Sequence, residues 1–189
     1  MTPTQNATRA GGGQAVLIRF ASRADALAMK EIFNREVEQS TSSWAWFPLS
    51  NEDWQDWLYE HTRDDHVLLV AEVDGQVVGF AGYGSFRTKD AYVTTVEDSV
   101  FLKDGYRGLG LGKALLARLL DEARTRSVHA MVAAVTGENQ ASIRLHRSLG
   151  FAEVGHLPEV GHKFGRWLDL VLLQIVLDDQ PGPGPVRID

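Results

Sequence analysis

Apolar runs that alternate with amphipathic segments along most of the chain predict a mixed α/β fold. Runs rich in β-branched and apolar residues are typical of buried strands. Such runs lie at 15–20, 66–73, 76–86, 92–102, 129–135 and 165–177, with a shorter one at Phe151. Asp74-Gly75 separates two of them, and Asp-Gly between β-rich runs is a strong hairpin signal. We therefore predict one central sheet that contains a hairpin closed at Asp74-Gly75.

Helix-start signals divide the remaining segments into four helices. Ser22 and Ser50 each precede an acid by three residues, Asp25 and Asp53, which is the spacing of a capping box. The predicted helices span about 22–39, 50–62, 110–126 and 139–149. The resulting order is β-α-α-β-β-β-α-β-α-β-β, which is typical of a mixed sheet covered by helices.

Both ends of the chain differ in composition from this core. Residues 11–13 are consecutive glycines, and residues 181–185 alternate proline with glycine. These compositions favour flexible segments over helices or strands. We predict flexible tails at 1–14 and 179–189 around one domain, 15–178.

Composition and charge narrow the classes of function. A net charge of −6 argues against a general nucleic-acid binder, which needs a basic face. The chain has no cysteine, so disulfides, thiolate zinc sites and cysteine nucleophiles are excluded, and the six histidines lack metal-ligand spacing. The N-terminus lacks the apolar core of a signal peptide, and no apolar run approaches a membrane span. A cytoplasmic protein without a metal, a membrane or a nucleic-acid partner is expected.

The sequence YRGLGLGK, residues 106–113, places three glycines directly before a predicted helix. A Walker A loop would need glycine where Arg107 stands and serine or threonine where Ala114 stands, which excludes that motif. A dinucleotide fingerprint counted from Gly108 would need glycine in place of Lys113. The pattern Arg/Gln-x-x-Gly-x-Gly/Ala does fit 107–112, and free N–H groups at a helix start bind diphosphate. The alternative is a turn that only joins a strand to a helix.

This loop after a β-rich strand resembles the acetyl-CoA site of the GNAT N-acetyltransferase superfamily. The segment ENQASIRLHRSLGF, 138–151, resembles the second signature of that superfamily. The segments 86–102 and 160–170 resemble the phosphinothricin and methionine sulfoximine acetyltransferase branch. The resemblance covers about residues 15–177 and implies the GNAT fold, an α/β architecture with a central, mostly antiparallel sheet flanked by helices.

The resemblance implies acetyl-CoA as co-substrate and a set of residues that bind it. The pantetheine arm is expected beside the strand at Val100, Phe101 and Leu102. The diphosphate is expected at Arg107, Gly108, Leu109, Gly110, Leu111, Gly112 and Lys113. Asn139 and Ser142 are expected to contact the CoA arm at the start of the following helix.

Transfer of acetyl from a thioester to an amine needs a base, because an α-amino group is largely protonated at neutral pH. Glu97 is the candidate, since strand periodicity puts it on the same face as Ser99 and Phe101, away from Val96 and Asp98. The alternative is an exposed carboxylate on a solvated face.

His146 stands where many GNAT enzymes carry a tyrosine thought to protonate the departing thiolate. An imidazole can do this near neutral pH. A histidine of a helix face that packs under the sheet explains the residue equally well.

The resemblance also implies an acceptor site and a dimer. Two cations, Arg87 and Lys89, suit an anionic acceptor, although a solvated loop explains them too. The expected acceptor-binding residues are Arg87, Thr88, Lys89, Tyr92, Glu97, Asp98 and Ser99. Trp44 and Trp46 fit a pocket wall, a core or a dimer contact, and the Gly161–Asp169 segment is expected at a homodimer interface.

The function expected from these features is direct, acetyl-CoA-dependent N-acetylation of the α-amino group of a small amino acid or analogue, such as phosphinothricin or methionine sulfoximine. One alternative is a GNAT enzyme that acetylates a polyamine, an aminoglycoside or a protein N-terminus. Another is a CoA-binding sensor without catalysis, in which Glu97 has no role.

Overall fold

One sheet with helices on both faces organises the chain, as the sequence predicts. The structure, a computed structural model, describes residues 6–9, 15–62 and 66–179. The helices are α1 Ala26–Gln39, α2 Asn51–Glu60, α3 Leu111–Thr125 and α4 Gln140–Arg147. The strands are β1 Asn6–Arg9, β2 Ala15–Phe20, β3 Leu68–Val73, β4 Gln76–Ser85, β5 Thr95–Leu102, β6 Ala130–Thr136, β7 Ala152–Lys163 and β8 Arg166–Val176.

The helix starts follow the local signals that the sequence carries. Asp53 N donates to Ser50 Oγ and Ser50 N donates to Asp53 Oδ2, both at 3.1 Å, which completes the predicted capping box of α2. Ser22 N donates to Asp25 Oδ2 at 2.7 Å. There, however, the chain first forms a 3₁₀ turn, Arg23–Asp25, and α1 begins only at Ala26.

The described strands form one sheet in the order β1-β2-β3-β4-β5-β6-β8-β7. All neighbouring pairs are antiparallel except β5 and β6. The mixed, mostly antiparallel sheet that the resemblance implies is therefore confirmed. In the parallel pair both strands run in the same direction, so the loops that follow them, which lead into α3 and α4, leave from the same end of the sheet.

Two elements differ from the sequence prediction. Residues 6–9 of the predicted N-terminal tail form β1, which pairs with β2. The short strand expected at Phe151 is instead β7, a strand of 12 residues that forms a long hairpin with β8. Of the predicted C-terminal tail, residues 180–189 lie outside the described residues, as do 1–5 and 10–14 of the first tail.

The two faces of the sheet carry separate apolar cores. On one face α3 packs with Leu115, Leu116 and Leu119, all fully buried, and α4 adds Ile143. On the other face α1 and α2 form an aromatic cluster that includes Phe33. Side chains of β5 alternate between the two, since Val100 and Leu102 contact the α3/α4 core while Phe101 contacts the α1/α2 core. Within the described residues, no helix is both long enough and apolar enough to cross a membrane.

Candidate active site at the split between two strands

A split in the sheet opens between β5 and β6. The two strands are paired only at Thr95, Val96 and Glu97, and the last of these lies opposite Val132. Beyond Glu97, β5 remains paired with β4 as far as Leu102, so its other edge has no strand partner among the described residues. Unpaired backbone N–H and C=O groups on a strand edge can bind an extended chain in the manner of an added strand.

A cleft of about 350 Å³ begins at this open edge and runs to the glycine loop. Its lining includes most of the residues that the sequence assigned to acetyl-CoA: Val100, Phe101, Leu102, Arg107, Gly108, Gly110, Gly112, Lys113, Asn139 and Ser142. Residues from three separate segments, 100–102, 107–113 and 139–142, therefore meet in one place.

The glycines of the loop are needed for two different structural reasons, backbone conformation and close packing. Gly108 and Gly110 adopt φ angles of +77° and +83°, which L-residues with side chains avoid, and the space where their Cβ atoms would stand is open. Gly110 is the N-cap of α3, so the N–H groups of the first turn, at 111–113, point toward this open space. Gly112 serves packing, because a Cβ there would lie 3.3 Å from Leu145 of α4. An open backbone at the positive end of a 15-residue helix fits a diphosphate.

The side chains of the other loop residues differ in exposure, since some face solvent and one is buried in the core. Leu109 is 39% exposed and Lys113 is exposed, whereas the side chain of Leu111 is buried in the α3 core. Only the backbone of Leu111 is therefore available to a ligand.

Arg107 is not a free cation above the loop. Its guanidinium forms an ion pair with Glu36 of α1 and lies 3.6 Å from Asp104. Glu36 is 6% exposed and also accepts a hydrogen bond from Ser40 Oγ, so Arg107 neutralises a buried carboxylate. Sequence reasoning missed Glu36, which stands 71 residues from its partner.

Asn139 and Ser142 shape the start of α4. Asn139 is the N-cap, and its Oδ1 accepts a hydrogen bond from Ser142 N at 3.0 Å. Its amide Nδ2 donates to Ser42 Oγ at 3.1 Å, which links α4 to the loop after α1. Ser142 Oγ lies 3.3 Å from Nδ1 of His146. Both residues thus line the cleft while they hold its walls together.

Glu97 lies at the vertex of the split, on the α1/α2 face. Its carboxylate is 38% exposed and stands 3.8 Å from the guanidinium of Arg87. Burial raises the pKa of Glu97, the charge of Arg87 lowers it and the charge of Asp98 raises it, with a net rise. A carboxylate whose pKa is moved toward neutrality is a better base than an ordinary surface glutamate.

The structure brings one of the predicted loop cations to Glu97. Arg87 also lies over the ring of Phe86, with 4.1 Å from Cζ to the ring centroid. Thr88, Lys89 and Tyr92 are exposed on the following loop and its short 3₁₀ turn, and among the described residues no ion pair joins Lys89 to Glu97. Ser99 is half-buried on the same face as Glu97.

Sequence reasoning missed an aromatic group near Glu97. Gly84 is paired in register with Glu97, and a Cβ on Gly84 would lie 3.6 Å from the ring of His61. The imidazole of His61 stacks on Trp57, with 3.8 Å between ring centroids. His61 is the C-cap of α2, and a long-range contact that no local pattern indicates brings it close to Gly84.

Asp98 and His146 meet on the opposite face of the sheet. Oδ2 of Asp98 lies 3.0 Å from Nε2 of His146, and the two side chains are 1% and 3% exposed. His146 is therefore packed under the sheet and at the same time paired with a carboxylate. Asp98 differs from its predicted role as an acceptor contact, because its side chain is buried on the α3/α4 face, away from Glu97.

The loop after α1 closes the α1/α2 side of the site. Lys163 of β7 donates from Nζ to the carbonyl oxygens of Ser40 and Ser43, at 2.9 and 2.6 Å. The ring of Trp44 covers Gly161, where a Cβ would come within 2.3 Å of it. Trp44 is thus a packing contact between this loop and β7. Trp46 is 62% exposed and meets His162 edge-on.

Comparison with known proteins shows the family to which the chain belongs. Residues 28–151 match the acetyltransferase (GNAT) family. The chain belongs to the GNAT family. A methionine sulfoximine and methionine sulfone acetyltransferase of Salmonella typhimurium is 42% identical over 166 residues, which cover 88% of this chain and 97% of that relative.

Two solved structures of GNAT-type proteins place acetyl-CoA in this fold. A Salmonella typhimurium protein solved with its cofactor acetyl-CoA is 41% identical, with a TM-score of 0.88, 90% of this chain covered and 99% of that chain. A phosphinothricin acetyltransferase of Sinorhizobium meliloti, solved with acetyl-CoA, is 32% identical, with a TM-score of 0.86 and coverage of 92% and 94%. This GNAT enzyme is accordingly an N-acetyltransferase that uses acetyl-CoA, and the open glycine loop and the unpaired edge of β5 fit that co-substrate.

Proposed function

We propose that this GNAT enzyme acetylates the α-amino group of a small amino acid or amino-acid analogue. The observation that carries the proposal is the position of Glu97, half-buried at the vertex of the split and 3.8 Å from Arg87. A base beside a cation suits an acceptor that carries an amine and a carboxylate. The names of the relatives support the same class, since they include methionine sulfoximine and phosphinothricin acetyltransferases.

In the proposed reaction Glu97 removes a proton from the ammonium group of the acceptor, directly or through one water molecule. Acetyl-CoA supplies the thioester, and the residues that would hold it are those of the cleft, 100–102, 107–113, Asn139 and Ser142. The amine attacks directly, without a covalent enzyme intermediate, which agrees with the absence of cysteine. His146 is the proposed proton donor for the departing sulfur.

Arg87 is the proposed contact for the acceptor's carboxylate. Its guanidinium is 56% exposed and is held over Phe86, so it can turn toward an anion without the loss of a buried partner. Thr88, Lys89, Tyr92 and Ser99 complete the proposed acceptor site by resemblance. A polyamine acceptor would need carboxylates where this site offers a cation, which makes it the less favoured class.

A homodimer is proposed from the surface of the β7–β8 hairpin. Exposed apolar side chains occur along this hairpin and in the neighbouring loop: Trp46, Phe47, Val154, Leu157, Val160, Phe164 and Trp167. Ring contacts connect Trp46 to His162 and His162 to Trp167. We name this set, with His162, the hairpin surface. Several exposed apolar side chains on one element are typical of a protein interface.

The cytoplasm is the proposed location, because acetyl-CoA is an intracellular metabolite.

An acceptor screen with acetyl-CoA tests the proposed function. Release of free thiol is measured with amino acids, their sulfoximines and sulfones, phosphinothricin, polyamines and aminoglycosides, for the wild type and for Glu97→Gln. We expect turnover with anionic amino-acid analogues, reduced about 10²- to 10⁴-fold in Glu97→Gln, while the Kd for acetyl-CoA changes less than threefold.

The matched control is Glu31→Gln, which removes an exposed carboxylate of α1. Turnover that survives in Glu97→Gln would remove this residue as the base. Preference for polyamines or aminoglycosides would contradict the proposed acceptor class, and binding of acetyl-CoA without turnover for any amine would favour a sensor.

A further inference from the structure

The buried pair of Asp98 and His146 lies one residue beyond Glu97, on the other face of the split. Nε2 of His146 is 3.0 Å from Oδ2 of Asp98, and Nδ1 is 2.8 Å from the carbonyl oxygen of Ser142. A carbonyl oxygen can only accept, so Nδ1 carries a proton. An ionised carboxylate can likewise only accept, so the pair is satisfied when Nε2 carries a proton as well. The surroundings of both ring nitrogens therefore stabilise the imidazolium form.

Burial disfavours the charged form of His146, but the hydrogen bonds and the charge around the ring favour that form more strongly. Burial lowers the pKa of His146, whereas the hydrogen bond and charge of Asp98 and the carbonyl of Ser142 raise it, with a net rise. From the chain after α4, the edge of the uncharged ring of Phe151 meets the imidazole. Among the described groups, Asp98 is the charged side chain in contact with His146, and Glu97 is the adjacent acid of β5 on the other face.

The pair lines a small cavity within the split. A passage of about 60 Å³ lies between β5 and β6, bounded by Ser42 toward the α1/α2 side and by Ser142 and His146 toward the α3/α4 side. Asp98 and Thr136 also line it, and Oδ1 of Asp98 and Oγ1 of Thr136 are buried without a hydrogen-bond partner among the described residues. An unsatisfied buried polar atom destabilises a fold, so fold stability alone does not favour a carboxylate here.

We propose that Asp98 is a positioning residue that keeps His146 doubly protonated beside this passage, ready to donate a proton to sulfur. The inference rests on the proposed acetyl transfer at Glu97. As the carbon–sulfur bond breaks, its electron pair stays on sulfur. Nε2 of His146 then transfers its proton, which had been hydrogen-bonded to Oδ2 of Asp98, to that sulfur. Nitrogen loses two protons on the way from ammonium to amide: Glu97 takes the first and passes it to solvent, and then takes the second as the amide forms. Exchange with solvent returns Glu97 and His146 to their starting states.

Nuclear magnetic resonance tests the charge of His146 without any turnover. The ring nitrogens are followed by ¹⁵N–¹H correlation while the pH is raised, for the wild type and for Asp98→Asn, both without acetyl-CoA. Asn keeps the size of the side chain and a carbonyl acceptor but removes the charge. We expect wild-type His146 to remain doubly protonated above the ordinary titration range near pH 6.5, and to titrate at least one pH unit lower in Asp98→Asn.

Two results would overturn the proposal. Titration of wild-type His146 at or below pH 6.5 would contradict it without any variant, so a failure of Asp98→Asn to fold leaves the test intact. An unchanged titration in folded Asp98→Asn would show that the carboxylate does not hold the proton. Asp121→Asn, which removes an exposed carboxylate of α3, is the matched control and should leave the titration unchanged.

Kinetics connect the charge to the reaction. In the wild type the alkaline decline of kcat should follow the titration of His146, and in Asp98→Asn it should move to lower pH by the same interval. KM for acetyl-CoA should change less than threefold. If the alkaline decline of kcat stays at the same pH in Asp98→Asn while the NMR titration of His146 moves, Asp98 sets the charge of His146 but His146 takes no part in acetyl transfer. That result would overturn the proposal. Absence of transfer by the wild type would refute the proposed function itself, which the NMR result does not depend on.

Discussion

At the scale of single residues, two adjacent acids of β5 have opposite environments. Glu97 is part-exposed and beside Arg87, whereas Asp98 is buried and beside His146. The alternation of side chains along a strand accounts for the difference, because successive residues point to opposite faces of the sheet. Strand β5 itself therefore lies between the proposed base, Glu97, and the proposed acid, His146.

Replacement of Arg87 by alanine should change both acceptor binding and the pH dependence of transfer. The charge of Arg87 lowers the pKa of Glu97, so its loss should raise that pKa further. Because the base must be ionised, the acidic rise of kcat/KM should move to higher pH. KM for acceptors with a carboxylate should increase about two- to fivefold, as expected for one exposed charged contact.

Steady-state kinetics across pH check this prediction, with Arg124→Ala as the control for loss of an exposed arginine. An equal KM increase for acceptors with and without a carboxylate would argue against Arg87 as the anion contact. If the acidic rise of kcat/KM occurs at the same pH in Arg87→Ala as in the wild type, Arg87 does not influence the ionisation of Glu97.

At the scale of elements, α1 is fixed at both ends by charged contacts. At its start Arg19 of β2 donates to both oxygens of Asp25, at 2.7 and 2.8 Å, and also to Glu72 of β3. At its end Glu36 holds Arg107 of the glycine loop. The helix therefore connects the sheet to the cleft that the glycine loop forms, and a change at its start tests how firmly it is held.

Replacement of Asp25 by asparagine should destabilise the protein in a pH-dependent manner. The hydrogen bonds of Arg19 lower the pKa of Asp25 to about 2, and the side chain is only 6% exposed. A lowered pKa stabilises the fold above the unfolded value near 4, and this contribution is lost as the pH falls through about 2. At about 1.4 kcal/mol per pH unit, the free energy of unfolding at pH 7 should fall by about 2 kcal/mol.

Urea unfolding at pH 7 and at pH 2.5 measures this difference, and the gap between wild type and variant should narrow at the lower pH. Asp56→Asn, which changes an exposed acid of α2, is the control. A loss of stability that is equal at both pH values would indicate a packing effect rather than the ion pair.

At the scale of the whole molecule, the β7–β8 hairpin links the proposed dimer interface to the site. Its outer side carries the hairpin surface, whereas Lys163 and Gly161 hold the loop after α1. Association through the hairpin surface would therefore act on the loop after α1, beside the proposed acceptor site.

Replacement of Trp167 by glutamate should convert a homodimer to monomers. The side chain is 65% exposed, so the folded monomer tolerates the charge, but an apolar interface would have to bury it without a partner. Sedimentation velocity should give twice the monomer mass of 20.9 kDa for the wild type and the monomer mass for the variant. Leu27→Glu, an exposed site on α1 outside the hairpin surface, should remain dimeric. A monomeric wild type would refute the dimer.

The sequence was sufficient for most of the elements, and its resemblance to a known family indicated many of the residues that line the cleft. Caps such as Ser50 and Asp53, the turn at Asp74-Gly75 and the glycines of 108–112 act within about four residues, so their effect can be predicted locally. The period of two along β5 likewise separated Glu97 from Asp98.

Only the tertiary structure decided which of these groups interact. Asp98 meets His146 across 48 residues, Arg107 meets Glu36 across 71, and Lys163 meets Ser40 across 123. Such pairs depend on strand register and on the packing of helices against a sheet, which no local pattern encodes. The sequence by itself therefore determined the order of the elements and the chemistry available to this GNAT enzyme. Folding decided which carboxylate is buried with an imidazole and which remains part-exposed beside Arg87, because burial and neighbouring charge are properties of the packed chain.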